Sequence, residues 1–347
     1  MKLSYEEKTA RLQLIRTPGI GVVTFWNLIK LFGSAANCID KIPDMSLKGG
    51  LKKAKEVFPK LLIEKEYDLV NKINGRIVFK EDDDYPLLLK KIPDPPPAIT
   101  VIGNIQNDKK MLAVIGSRSA SLNAKKFTEK LVHDLSDAGF CLISGFARGI
   151  DSVVHKSASS TIAVFAGGID VIYPAENKDL YGSIIEKGAV ISESPYGTEI
   201  QASLFPRRNR IIAATASGVV VIEAAMKSGS LITANFALDY NRDVFAVPGF
   251  PEDPRCTGSN DLIKKGAILV TSAEDIINNN LLNYSDSSTS DDGVLFSTCM
   301  NIDEKEIDSF RDRILTLLSY EPVSIDSLIE EIGSVQIVQM VLVDLEI

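Results

Sequence analysis

The order of apolar and polar positions divides the chain into three stretches. Residues 1–80 read mostly as amphipathic helix, with Val22, Phe25, Leu28, Ile29 and Phe32 at three- and four-residue spacing after the turn Thr17-Pro18-Gly19-Ile20-Gly21, the period of a helix with one buried face. From Met111 to Asn279, apolar runs at 111–115, 141–144, 161–165, 189–192, 218–222, 244–247 and 267–270 alternate with helical segments. The runs are continuous rather than alternating, which predicts strands buried on both faces, as in a parallel sheet covered by helices. Right-handed crossovers then put the C-terminal strand ends along one edge, where such sheets bind ligands. In the last stretch, 306–347, a helix face of Ile307, Phe310, Ile314, Leu317 and Leu318 leads through Glu321-Pro322-Val323 to Ser324–Ile329 and a final helix over Val335–Leu345. Helix, turn, helix, helix is the core of a winged-helix-like module. No wing hairpin precedes Ile347, so that module is expected to be incomplete.

Between these stretches lie two connectors. Residues 81–110 include Lys80-Glu81-Asp82-Asp83-Asp84-Tyr85-Pro86 and Pro93-Asp94-Pro95-Pro96-Pro97; proline lacks the N–H and fixes its own φ, which predicts an extended, stiff segment. Ala98–Gly103 then reads as a strand docking on the main domain. Residues 280–305 are poor in apolar side chains and rich in Asn, Ser and Asp, the composition of a flexible linker.

The chemistry concentrates in the turns that follow the strands. Met111–Asp151 reads as strand, turn, helix, strand, turn, the helix resting on Phe127, Leu131 and Leu135, with Ser121 or Asn123 as N-cap and Gly139 past the end. The turns are Gly116-Ser117-Arg118, then Gly145 with Arg148-Gly149-Ile150-Asp151. Further along come Glu193, Glu223 leading to Ser228-Gly229-Ser230, and Pro248-Gly249. A strand entering a glycine turn before a helix gathers backbone N–H groups and the positive helix end at one spot, so two such turns with arginines predict a phosphate site. Gly116-Ser117-Arg118 has neither the Gly-Lys-Ser/Thr of a Walker loop nor a dinucleotide fingerprint. Phe205-Pro206-Arg207-Arg208-Asn209-Arg210 adds three arginines near a helix start, where Pro206 suits the first helical position. Positive side chains there are unfavourable unless an anion is bound, and an aromatic beside them suits a base stacked next to its phosphate. The alternative is that these arginines bridge to Glu193, Glu199 or Glu223 and stabilise the fold.

Other chemistry is unsupported. The chain has only two histidines, and its four cysteines (Cys38, Cys141, Cys256, Cys299) form no Cys-x-x-Cys pair. No catalytic, metal or cofactor site is therefore expected, and the cysteine usage fits a reducing cytosol. His155 reads as a helix-surface or supporting residue rather than a base. No apolar run approaches a membrane span. At 347 residues, with 45% hydrophobic and 24% charged positions, the chain has material for two or three domains. A net charge of -8 argues mildly against nucleic acid, although binding depends on where the arginines converge. The Pro18-Gly19-Ile20-Gly21 turn is either a helix-hairpin-helix that approaches a DNA phosphate or a tight turn in a small helical domain.

Taken together, Val114–Arg118, Ser144–Asp151, Ile169–Pro174, Phe205–Ala213, Glu223–Ala234 and Val244–Gly249 resemble the DNA-processing protein A (DprA, also called Smf) family. The resemblance covers residues 111–277 almost without gaps and implies an α/β fold: a Rossmann-like, mostly parallel sheet with helices on both faces. A small N-terminal helical domain and a C-terminal winged helix would flank it. It implies a cytoplasmic protein without enzymatic activity that binds single-stranded DNA, protects incoming DNA, loads the RecA recombinase in natural transformation and forms a homodimer. In that picture Gly116, Ser117 and Arg118 hold a phosphate. Gly145, Arg148, Arg207, Arg208 and Arg210 lie near it, Phe205 lies against a base or sugar, and Asp151, Asn209, Glu223, Ser228 and Ser230 support them. The family commonly has a basic residue before the Phe-Pro-Arg-Arg run, whereas Gln201-Ala202-Ser203-Leu204 is neutral. The alternative is a nucleotide-cleaving relative similar to the cytokinin-activating phosphoribohydrolases, but Glu223–Thr233 lacks their Pro-Gly-Gly-x-Gly-Thr-x-x-Glu loop.

Overall fold

A computed structural model describes residues 3–48, 52–279, 304–318 and 323–346. They form two compact units, Lys65–Asp286 and, separately, Leu3–Glu64 with Ser287–Ile347. The helices are α1 (Tyr5–Arg16), α2 (Val22–Phe32), α3 (Ala35–Lys48), α4 (Lys60–Lys72), α5 (Leu87–Lys90), α6 (Leu122–Asp137), α7 (Ile150–Ser157), α8 (Lys178–Lys187), α9 (Leu204–Thr215), α10 (Gly229–Asp239), α11 (Thr257–Lys264), α12 (Glu274–Ile277), α13 (Glu304–Leu317), α14 (Ile325–Ile332) and α15 (Val335–Glu346). The strands are β1 (Gly75–Phe79), β2 (Ala98–Gly103), β3 (Met111–Ile115), β4 (Cys141–Ser144), β5 (Thr161–Phe165), β6 (Gly188–Ser192), β7 (Gly218–Val221), β8 (Asp243–Ala246) and β9 (Ile268–Leu269).

All nine strands form one sheet in the order β1-β2-β6-β5-β4-β3-β7-β8-β9. From β6 through β9 every neighbouring pair is parallel, with Ala113 opposite Val219 and Ile115 opposite Val221 across β3 and β7. The continuous apolar runs have their cause in two layers of core. One packs Ile115, Ile143, Val164 and Val221 with Ile211, Ala234 and Ala237, and the other packs Leu112, Val114, Leu142 and Val220 with Leu131, Leu135 and Val154. Alternate residues of each strand therefore enter opposite layers, and helices cover both. α6 starts where Ser121 Oγ accepts from Ala124 N (3.1 Å), and its end is followed by Gly139 at φ 86°.

Three local features differ from the sequence expectation. The docking strand β2 pairs antiparallel with β6, and on its other side it carries β1, which lies inside the stretch read as helical. β1 is short, and only Ile77-Val78-Phe79 is apolar in it, too few residues to break a helical period. The 81–110 connector contains the short helix α5 rather than extended chain throughout; Pro86 is its N-cap, a place where a missing N–H costs nothing. α9 begins at Leu204, so Pro206 is its third residue rather than its first, still within the turn whose N–H groups have no helical partner.

In the other unit, Ser4 caps α1 by accepting from Glu7 N (3.2 Å), and Gly33 ends α2 at φ 79°. The Thr17–Gly21 hairpin between them turns at Gly19 (φ 80°) and is braced from behind, because Thr17 Oγ1 accepts from Phe58 N (3.1 Å) and donates to the Gln13 carbonyl (2.7 Å). Helices α13–α15 follow the helix, turn, helix, helix order read from the sequence, and Ile314, Leu328, Ile332 and Val338 form their core. The linker expected over 280–305 lies, except for its last two residues, outside the described residues. Among the described residues no single helix is long and apolar enough to cross a membrane.

Candidate nucleic-acid interface

The strand order reverses between β3 and β7, and the helices that follow them lie on opposite layers, α6 in one and α10 in the other. The turns leaving these two strands therefore part, and a crevice opens above their ends, the usual ligand position in an open parallel sheet. It is an open groove of about 540 Å³, lined by Gly116–Ser119, by Lys227–Thr233 apart from Leu231, and by Phe205, Pro206, Arg208 and Asn209 of α9. A narrow side recess of about 20 Å³ is lined by Arg118, Arg148, Phe165, Tyr173, Ile200 and Phe205.

Each wall follows from local chemistry. A Cβ at Gly116 would lie 2.6 Å from Ile150 Cγ1, so only glycine lets this turn press against α7. Gly149, at φ 78°, adopts a backbone that other residues reach only with strain, and the next residue, Ile150, donates its N–H to the Ser117 carbonyl (3.2 Å). Ser117 Oγ accepts from Ser119 N (3.1 Å), and Ser230 Oγ donates to the Gly116 carbonyl (3.0 Å), tying the first turn to the start of α10. Ser228 caps α10 through Ser230 N (3.2 Å), and that helix has no acidic residue in its first turn to occupy its positive end. Asn209 Nδ2 donates to the Gly229 carbonyl (3.2 Å), joining α9 to α10 across the groove.

The charged residues separate into those that face the groove and those the fold consumes. Arg118 is exposed, lies over the Phe205 ring at 4.8 Å, and has no carboxylate partner among the described residues. Tyr173 adjoins this group, its ring tilted 53° to that of Phe205 with centroids 6.3 Å apart. Arg148 rims the side recess, 3.7 Å from Glu176 with both side chains exposed. Arg207 is exposed but lines neither space. Lys227, assigned no role in the sequence reading, is exposed on the groove wall. Its position beside Ser228-Gly229-Ser230, just ahead of the helix start, was the available signal.

Arg208 and Arg210 depart from the expectation of a three-arginine phosphate face. The Arg208 side chain is buried: Nη1 donates to the Gly145 and Val164 carbonyls, and Nε donates to Asn209 Oδ1 (3.1 Å). Burial pushes its pKa down to about 10, opposed by Asp151. Gly145 leaves the space this guanidinium fills. Asp151 Oδ2 accepts from Gly145 N and Ala147 N, both at 3.1 Å, while burial raises its pKa against the pull of Arg208 and these donors. Arg208 and Asp151 thus form the floor of the groove rather than free ligands. Arg210 is turned away altogether, paired with Glu193 and Asp94 (3.3 Å). Burial alone would lower its pKa, but these carboxylates outweigh burial and raise it. The bridging alternative holds for Arg210, with Asp94 as a second partner.

Glu223 is buried behind the first turn, where Oε2 accepts from Ser121 N (3.0 Å) and so anchors the start of α6. His155 is wholly buried rather than on the helix surface, because its side of α7 faces the sheet. Its Nδ1 meets Thr161 Oγ1 (2.8 Å), which itself donates to the Leu142 carbonyl (2.8 Å), so Nδ1 carries the proton and Nε2 is an acceptor without a partner. Burial, then the charge of Arg208, lowers its pKa to about 3.

Comparison with known proteins agrees with this architecture. Residues 76–280 match the family profile described as DNA recombination-mediator protein A, residues 5–68 a DprA-like N-terminal HHH domain, and residues 303–347 a DprA winged helix domain. The protein Smf of Escherichia coli K12 is 40% identical over 228 residues, 64% of this chain and 61% of that protein, so the chain spans about six-tenths of that relative. The X-ray structure of DNA processing protein A from Streptococcus pneumoniae superposes with a TM-score of 0.64 at 31% identity, covering 80% of this chain and 99% of that one. A Helicobacter pylori DNA processing protein A, whose structure is described for its single-stranded DNA binding mode, gives a TM-score of 0.55 at 27% identity over 61% of this chain and 97% of that one. With its central domain, both flanking modules and these relatives in agreement, the chain belongs to the DprA/Smf family of DNA recombination-mediator proteins.

Proposed function

We propose that this chain binds single-stranded DNA along the groove between β3, β7, α9 and α10. The observation that carries the reading is Arg118, an exposed guanidinium with no carboxylate partner among the described residues, stacked on Phe205 at the mouth of a turn built from Gly116 and Ser117. A phosphate bound there would meet the guanidinium and the Ser117 hydroxyl, while the Phe205 and Tyr173 rings would offer stacking faces to unpaired bases. Gly116, Ser117, Arg118, Phe205, Asn209, Ser228, Ser230 and Lys227 form the binding set, Arg148 extends it at the rim of the side recess, Gly145, Asp151, Arg208 and Glu223 hold its shape, and Arg207 stands outside it on the outward face of α9. The DNA-binding relative from Helicobacter pylori supports the choice of strand.

The role that follows is carriage rather than chemistry: a cytoplasmic homodimer that covers incoming single strands and passes them to the RecA recombinase during natural transformation. Binding is tested by titrating labelled oligonucleotides with the chain and its Arg118→Ala variant. Weaker binding by the variant supports the site, and identical isotherms overturn it.

A further inference from the structure

The C-terminal module, residues 303–347, contains eleven aspartates and glutamates against Lys305, Arg311 and Arg313. Its charge therefore equals that of the whole chain, -8, and the residues before it sum to zero. A helix-turn-helix unit reads duplex DNA by laying its last helix in the major groove among basic side chains that meet the phosphates. Here neither α14 nor α15 contains a lysine or an arginine.

The packing of α15 gives it another occupation. Val338 and Val341 close the module's own core with Ile314 and Leu328. Val343, only 3% exposed, belongs instead to the core of the N-terminal helices, with Leu14, Phe25, Leu28 and Cys38. On a helix, Val338 and Val343 are about 140° apart, so α15 is buried on two faces. It packs against α2 and α3 as well as against α13 and α14. A helix committed to two cores is a core element, and the faces these contacts occupy are not open to a groove.

We infer that the C-terminal module is a clasp on the N-terminal helices rather than a DNA reader, with α15 shared between two cores so that both ends of the chain fold as one cooperative unit. The inference is independent of the single-strand groove. Its test is amide hydrogen exchange on the full chain carrying Val343→Asp or, from the opposite side, Leu28→Ala. Val343→Asp is expected to accelerate exchange in α1–α3, and Leu28→Ala to accelerate it in α15, each by about tenfold or more, with β3–β7 unchanged. Acceleration confined to the mutated module in both variants overturns the clasp. Duplex binding separates it from a masked reader: Val343→Asp, which frees α15, is expected to leave duplex affinity unchanged, and a gain in duplex affinity overturns the inference.

Discussion

Replacing Arg118 by alanine removes the exposed guanidinium of the groove while leaving its backbone in place. A hydrogen bond to a charged group contributes about 1.5–3 kcal/mol, so affinity for a single strand should fall about 10- to 150-fold at low salt. One phosphate contact on a single strand contributes a slope of about 0.7 in log K against log salt, so the difference between wild type and variant should narrow by about 2.6-fold between 50 and 200 mM salt. The loss should be similar for every base sequence, as expected of a backbone contact. Because Arg118 has no carboxylate partner among the described residues, thermal stability should stay within about 0.5 kcal/mol of wild type. The assay is fluorescence anisotropy on labelled oligonucleotides at several salt concentrations, with a melting curve on the same samples. An unchanged isotherm, or lost affinity accompanied by a large fall in melting temperature, would refute the reasoning.

Two further substitutions separate fold from site. Arg210→Ala leaves Glu193 and Asp94 without their partner, and breaking a buried pair costs about 3 kcal/mol or more, a melting shift of about 10 °C, with single-strand affinity at 25 °C intact. His155 titrates near 3 in the fold against an ordinary 6.5, so the folded state loses stability as pH falls below 6.5. Between pH 7 and pH 5 urea unfolding should show wild type losing about 2 kcal/mol more than His155→Phe, and parallel losses would contradict a neutral buried imidazole.

Much of this architecture was legible because burial on both faces leaves a plain signature. Runs such as Met111–Ile115 and Gly218–Val221 are apolar throughout, and the turns after them are short, so the parallel arrangement and the ligand edge followed from general rules, while the strand order did not. β1 was not legible, since a short edge strand paired on one side needs little apolar sequence. Nor was the separate fate of three neighbouring arginines. On α9, Arg208, Ile211, Ile212 and Thr215 share the buried face at three- and four-residue spacing, while Arg207 is turned outward. Composition gives three arginines; the helical period, applied residue by residue, would have singled out Arg208 as an inward side chain. The partnership of Arg210 with Asp94 spans 116 positions and has no local signal.

The most direct measurement is ultraviolet cross-linking of a single-stranded oligonucleotide to the intact chain, with the linked peptides identified by mass spectrometry. Cross-links at Phe205 and Tyr173, lost in excess unlabelled single strand, are the expected result. Cross-links confined to the helices of residues 5–68, with none on α9 or the turn before Pro174, would contradict the groove as the place where the strand lies.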